Sequence, residues 1–329
     1  MVFESLFGAR KKPDATVVDP GPQIAPAPQP TIGLALGGGA ARGFSHIGVL
    51  RTLAAHGIKP DVIVGTSIGA VAGASFAAGY LDTLEDWARS LSKRGVLSYL
   101  DVSFSGSGLI NGAKLAAKLE ASLGTVLIQD LPIRFAAIAT EVKTGHEIWL
   151  THGRVVEAVR ASYALPGIFA PVPIAGRWLV DGALVNPVPV SAARALGARL
   201  VIAVNLNADL FGRGSTIVDF GYDVEDTPPK DKPIKSTTLI PAQRVLTKQL
   251  LGAGGRPGLG TVMFDAFNVM QDRISRARLA GDPPDVTISP HLSKIGWFDF
   301  HRAQEAITIG AEATEKMIDS ITEAIATLA

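Results

Sequence analysis

A three-layer α/β fold, a mainly parallel sheet with helices on both faces, is predicted by three features of this 329-residue sequence. Short apolar runs alternate with helical patterns from Thr31 to beyond Leu200, as strand-helix-strand units do. Hydrophobic residues make up 47% of the chain and charged residues 19%, which supplies a sizeable core. Two glycine-rich turns each follow an apolar run and open a helical pattern.

The elements follow in order. Residues 1–30 contain six prolines and no sustained periodicity, so they read as a Pro-rich tail before a domain spanning 31–329. Ile32–Leu36 is a buried strand. Phe44–His56 is a helix with Ile47, Leu50, Leu53 and Ala54 on one face, stopped by Gly57. Val62–Val64 is the next strand, Ile68–Ala78 a small-residue helix ending at Gly79, and Leu81–Lys93 an amphipathic helix. Asn111 caps a helix reaching Leu123. Phe135–Val142 and Glu147–Leu150 are strands, Val155–Tyr163 a helix stopped by Pro166, and Leu200–Leu206 a buried strand. The pattern breaks over 209–258, an irregular insertion of prolines, glycines and alternating charges that reads as a mobile cover or lipid-facing element. Thr261–Leu279 resumes as a helix with Met263, Phe267, Met270 and Ile274 along one stripe. Val286–Ile288 is a last strand and Ala303–Leu328 a closing helix.

Composition excludes several functions. With 31 Lys+Arg against 30 Asp+Glu the formal charge is +1, without the basic excess that nucleic-acid partners require. The chain has no Cys, so thiolate nucleophiles, disulfides and cysteine-ligated metals are absent and any covalent nucleophile is oxygen or nitrogen. Val62–Leu81 is free of charge and long enough to span a bilayer, but its β-branched start, polar Thr66, Ser67 and Ser75, and glycines suit strand, turn and packed helix instead. Met1–Lys12 places Phe3, Leu6 and Phe7 ahead of Arg10, Lys11 and Lys12, the wrong order and length for a signal peptide. The expected location is therefore cytoplasmic, with this segment suited to peripheral contact with the inner membrane face.

Three motifs carry chemistry. Gly65-Thr66-Ser67-Ile68-Gly69 sits between a β-branched strand and a small-residue helix, the setting of a nucleophile elbow. Gly65 and Gly69 make room for the sharp turn, and Ser67 projects at a helix N-terminus whose dipole favours developing negative charge. An ordinary strand-to-helix turn has the same residues. Gly37-Gly38-Gly39-Ala40-Ala41-Arg42-Gly43 also follows a strand and opens a helix, so its backbone N–H groups can converge on an anion. It departs from the dinucleotide fingerprint, since three residues separate Gly39 from Gly43, and from the nucleotide P-loop, since no Lys-Ser or Lys-Thr follows. Asp181-Gly182 interrupts an apolar run; read alone, without the other two motifs, it is first of all a hairpin turn.

These motifs, with Ala161-Ser162-Tyr163-Ala164-Leu165-Pro166-Gly167-Ile168-Phe169 between the second and third, are in an order that resembles the patatin-like phospholipases, particularly their short bacterial members. The likeness covers roughly Thr31 to Leu206. It implies the patatin-like, α/β-hydrolase-related variant of the fold and a serine acyl-ester hydrolase acting on lipids. It further implies Ser67 as nucleophile, Asp181 as general base, and an oxyanion loop of Gly37, Gly38 and Gly39 completed by Arg42, with no metal and no cofactor. Many relatives read Asp-Gly-Gly where this chain has Asp181-Gly182-Ala183.

Other readings use the same residues. A Ser-His-Asp triad would draw on His291 or His301, neither of which has a recognisable flanking motif; His46 reads as a packing or capping residue. An acyltransferase would keep the serine and oxyanion loop, whereas a non-enzymatic lipid-binding or regulatory module would not need Ser67. Phe104, Leu109, Ile110 and the Met-bearing helix could accept an acyl chain.

Overall fold

The computed structural model describes residues 31–92, 108–110, 113–209, 252–253 and 256–328. The N-terminal tail, Asn111, Phe104 and most of the insertion expected over 209–258 lie outside these residues.

An eight-stranded sheet organises the molecule, in the order β12-β9-β1-β2-β4-β8-β7 with β5 also on β4. Its strands are β1 (Ile32–Leu36), β2 (Val62–Thr66), β4 (Arg134–Glu141), β5 (Glu147–Leu150), β7 (Val172–Ile174), β8 (Arg177–Asp181), β9 (Leu200–Val204) and β12 (Val286–Ile288). β12, β9, β1, β2 and β4 run parallel, β5 and β8 pair antiparallel with β4, and β7 pairs antiparallel with β8. Short β3 (Gly108–Ile110) pairs with β6 (Gly167–Phe169), and β10 (Gly252–Ala253) with β11 (Arg256–Pro257).

The helices are α1 (Ser45–Ala55), α2 (Ile68–Ala77), α3 (Leu81–Ser90), α4 (Ala113–Leu123), α5 (Val155–Ser162), α6 (Val190–Ala195), α7 (Leu259–Gly281), α8 (Ala303–Glu315) and α9 (Ile318–Leu328). The parallel strands are buried on both sides, yet their alternation still sorts side chains by size. Leu34, Leu36, Ile63, Phe135, Leu200 and Ile202 join one large core with α1, α2, α5 and α8, while Ala35, Val64, Ala136 and Ala203 face the short α6. Each fully buried Leu, Ile or Phe contributes on the order of 1.5–3 kcal/mol, so most of the stabilisation comes from the first face. α1 crosses α8 at unusually close range: a Cβ on Gly48 would overlap the Ile307 carbonyl, and one on Gly310 the Ser45 carbonyl. No helix among the described residues is long and apolar enough to cross a membrane, and the charge-free stretch from Val62 forms β2, the Ser67 turn and α2.

Several expectations are corrected. Ala54 is exposed, because the sheet and α8 bury nearly the whole start of α1 rather than one stripe. The closing helix is two helices, α8 and α9, with a break at Lys316–Met317. Asp181-Gly182 is not a hairpin: β8 ends there in a 3-10 turn (Gly182–Leu184), and the hairpin lies at Ala175-Gly176, where both residues have positive φ (48° and 77°). On α7, Met263 and Met270 point outward at 53% and 49% exposure while Phe267 is buried. Much of the inward face is polar, with Asn268, Gln271 and Ser275 turned toward the sheet side of the molecule.

Candidate active site

The site forms at the carboxyl ends of β1 and β2, where open parallel sheets place their ligands. One edge of β4 is shared end to end by two strands. β2 pairs with Arg134–Ile138 and ends with Thr66 opposite Ile138; β8 pairs with Ala139–Glu141 and ends with Asp181 opposite Ala139. β5 takes the other edge over Ala137–Thr140. The C-termini of β2 and β8 therefore abut, which brings Ser67 beside Asp181. Two hydroxyls tie the junction: Thr140 Oγ1 donates to the Asp181 carbonyl (2.9 Å) and Thr66 Oγ1 to the Asn186 carbonyl (2.8 Å).

Ser67 has φ 56° and ψ −123°, a backbone conformation that costs a non-glycine residue on the order of 1–3 kcal/mol and persists only when its surroundings hold it. Its N–H donates to Ser162 Oγ at 2.9 Å, and its carbonyl accepts from Ala70 and Val71 as α2 begins. The flanking glycines answer to backbone crowding. A Cβ on Gly65 would overlap the Ala70 and Gly69 backbone, and one on Gly69 would overlap the Leu36 carbonyl of β1. Ser67 Oγ donates to Asp181 Oδ2 at 2.7 Å.

Asp181 is 3% exposed, and its other oxygen accepts the Ala183 N–H at 2.8 Å. Burial pushes its carboxyl up to about 7, against the smaller downward pull of the Ser67 hydroxyl and the Ala183 amide. It is thus a carboxylate of raised basicity joined to a hydroxyl at the N-terminus of a helix.

The glycine loop lies alongside, for a Cβ built on Gly38 would sit 3.5 Å from Ser67 Cβ. Its amides are not all available. The Gly37 N–H donates to Val204 O (3.1 Å) and the Gly38 N–H to Pro187 O (3.0 Å), so these two expected oxyanion donors are already spent. Ala41 N–H donates to Trp297 O and Arg42 N–H to Gly39 O. Among the described residues the amides of Gly39 and Ala40 have no partner, and Ala40 holds φ 50°. Arg42 lies in the 3-10 turn Ala40–Phe44 that follows the glycines. Its side chain is 1% exposed, donates from Nη2 to Asn268 Oδ1 (3.3 Å) and lies over the Trp297 ring, anchoring α7 to the loop. Burial lowers its pKa to about 10, partly offset by Asp209.

α7 covers the site from above. Phe267 packs with Leu165, Ile168 and Ala183, the last only two residues from Asp181, and Phe264 and Trp297 extend that apolar cluster. At its far end Arg278 Nη2 donates to Glu147 Oε2, whose other oxygen accepts from Asn186 Nδ2, so α7 is also linked to the loop after Asp181.

No histidine donates to or accepts from Ser67 or Asp181 among the described contacts. His291 is exposed and stands 3.9 Å from Asp209, while His301 lies in the 3-10 turn Phe300–Arg302. No group of three or more His, Asp or Glu side chains converges as a metal site among the described residues. Thr140 was not legible as part of the site, and Ser162 only as a member of the Ala161–Phe169 motif without a role: their hydroxyls act on backbone atoms that only the folded chain brings near.

Residues 34–194 match the family model of the patatin-like phospholipases. An NTE family protein of Mycobacterium bovis is 32% identical over 357 residues, covering 91% of this chain and 96% of that one. The chain belongs to the patatin-like phospholipase family. Within the family, the mouse patatin-like phospholipase domain-containing protein 7 is 34% identical over 184 residues, 54% of this chain and 14% of that much longer protein. Among solved structures, VipD from Legionella pneumophila aligns with a TM-score of 0.45 and 14% identity, over 89% of this chain and 67% of that one.

Proposed function

We propose that this patatin-like protein is a serine hydrolase of lipid acyl esters that works through Ser67 and Asp181. The observation that carries the reading is the 2.7 Å hydrogen bond from Oγ of the half-buried Ser67 to Oδ2 of the buried Asp181. A carboxylate of ordinary pKa, about 4, is a poor base for a hydroxyl. Burial narrows that mismatch by raising Asp181 to about 7, so the fold itself makes the carboxylate a more competent proton acceptor.

The reaction follows from the geometry. Ser67 Oγ attacks the ester carbonyl while its proton passes to Asp181, giving a tetrahedral oxyanion stabilised by the unpaired amides of Gly39 and Ala40 and the N-terminus of α2. Collapse breaks the bond to the alcohol, which leaves with the proton held by Asp181. Water then gives a proton to Asp181 and attacks the acyl-Ser67 carbonyl, and the second collapse returns the proton to Ser67 and frees the fatty acid. The apolar cluster of Leu165, Ile168 and Phe267 next to Ala183 suits an acyl chain better than a polar substituent. Val262, Met263, Val269 and Met270, exposed on the outer side of the covering helix, would meet a lipid aggregate.

A fluorophosphonate probe tests the reading. A single adduct on wild-type protein, lost in Ser67→Ala, together with fatty-acid release from a phospholipid and ester panel, is the expected outcome. A folded wild type that neither labels nor hydrolyses any acyl ester overturns it.

A further inference from the structure

We propose that His46 is a positioning residue for acyl transfer, whose ring clamps the Gly37 carbonyl and so fixes the unpaired amides of Gly39 and Ala40 that receive the oxyanion. The proposal rests on the hydrolase reading above. His46 lies in the first turn of α1, fully buried, with Nε2 2.8 Å from Gly37 O. A carbonyl oxygen only accepts, so Nε2 carries the hydrogen. Burial holds the ring's pKa at about 4, against the opposing pull of this bond, and the neutral ring then has a bare Nδ1. That nitrogen is itself buried and meets no donor.

The ring contact completes a three-point fixation. Gly37 N–H is held by β9 through Val204, Gly38 N–H by the loop after β8 through Pro187, and Gly37 O by α1 through His46. Every polar atom of the Gly37 backbone is thereby committed, and beyond the Gly38 amide, which Pro187 holds, the amides of Gly39 and Ala40 are without a partner among the described residues. The peptide unit between Gly37 and Gly38 is thus held at both its carbonyl and its N–H, and it sets the path of the chain into Gly39 and Ala40, which glycine by itself would leave loose. A buried imidazole with one unpaired nitrogen is a costly way to fill a helix-sheet interface that an aliphatic side chain could fill. Oxyanion donors act through being in place before charge develops, so a group that stops their rotation lowers the barrier without touching substrate.

The test compares His46→Leu, which removes the donor, with His46→Gln, whose Nε2 amide donates from a similar reach. In full-length protein, His46→Leu is expected to lower kcat and the rate of fluorophosphonate labelling about 10- to 100-fold with KM within about threefold, and His46→Gln to recover most of the loss. A folded His46→Leu with wild-type kcat, or a His46→Gln as slow as His46→Leu, overturns the proposal. Should His46→Leu not fold, nitrogen NMR of histidine-labelled wild type decides independently: a neutral Nε2–H tautomer at neutral pH is required, and an Nδ1–H tautomer or a charged ring overturns it. Wild type that never labels sinks the hydrolase reading and this inference together, whereas labelling indifferent to His46→Leu sinks this one alone.

Discussion

Ser67 and Asp181 are 114 residues apart in sequence and 2.7 Å apart in space, because β2 and β8 end against each other along one edge of β4. That abutment, rather than any local motif, gives the hydroxyl its acceptor.

Asp181→Asn keeps an oxygen for the Ala183 amide but can no longer take a proton. Ester hydrolysis should fall about 10²- to 10⁴-fold, the usual contribution of a positioned base. Steady-state kinetics on a soluble ester, with Ser67→Ala as the inactive reference, measures it; an Asp181→Asn enzyme of wild-type kcat would show that another group accepts the proton.

The pH dependence follows from the same carboxyl. The proposed base acts as a carboxylate, so kcat/KM should rise with pH and level off above about 7. Stability runs the other way. The folded pKa lies above the unfolded value, so the protein is most stabilised where Asp181 is protonated in both states, and loses stability as pH rises from about 4 through about 7. Above that range the cost of the buried charge is of the order of a few kcal/mol, which Asp181→Asn removes. Thermal unfolding should show the Tm of Asp181→Asn gaining on wild type between about pH 4 and about pH 7; a constant difference would contradict the raised pKa.

Ser162→Ala deletes the acceptor of the Ser67 N–H and leaves a left-handed serine less firmly held. A loss of about 1–3 kcal/mol is expected for the unpaired buried amide. Denaturant unfolding reads the stability and kcat the accompanying fall in activity; unchanged values for both would show that α2 alone holds the elbow.

Replacing Met263 and Met270 by Gln makes the outer side of α7 more polar, since both are about half exposed. Hydrolysis of micellar or vesicle lipid should drop while hydrolysis of a monomeric short-chain ester stays level, because only the aggregate meets that face. Equal effects on both substrates would place the methionines in the folding of the helix instead.

Much of the fold was legible because its strands are short, β-branched or apolar runs punctuated by glycine, and β1, β5 and β12 fall where the pattern puts them. α7 shows where such reading fails. Sorting its residues by hydropathy turns Met263 and Met270 inward, yet Asn268 and Gln271 face in because Arg42 and Asn207 wait there as partners. Hydropathy cannot register a buried hydrogen bond whose two ends come from distant segments. The glycine loop fails in the same way. Its three glycines look equivalent in sequence, and Val204 and Pro187, contributed by elements far along the chain, decide which amides remain free.

The sequence by itself determined the family, the layered α/β class and the serine at a strand-to-helix turn, because motif order, local spacing and residue type are written along the chain; Asp181 was legible only through the family resemblance. Only the tertiary structure decided that the acid is buried and so pushed up to about 7, that Ser162 and His46 bond to the backbone of Ser67 and Gly37, and that Gly39 and Ala40 keep amides without a partner among the described residues. Burial and hydrogen-bond partnership are properties of what surrounds a residue, and those neighbours exist only once the strands have paired.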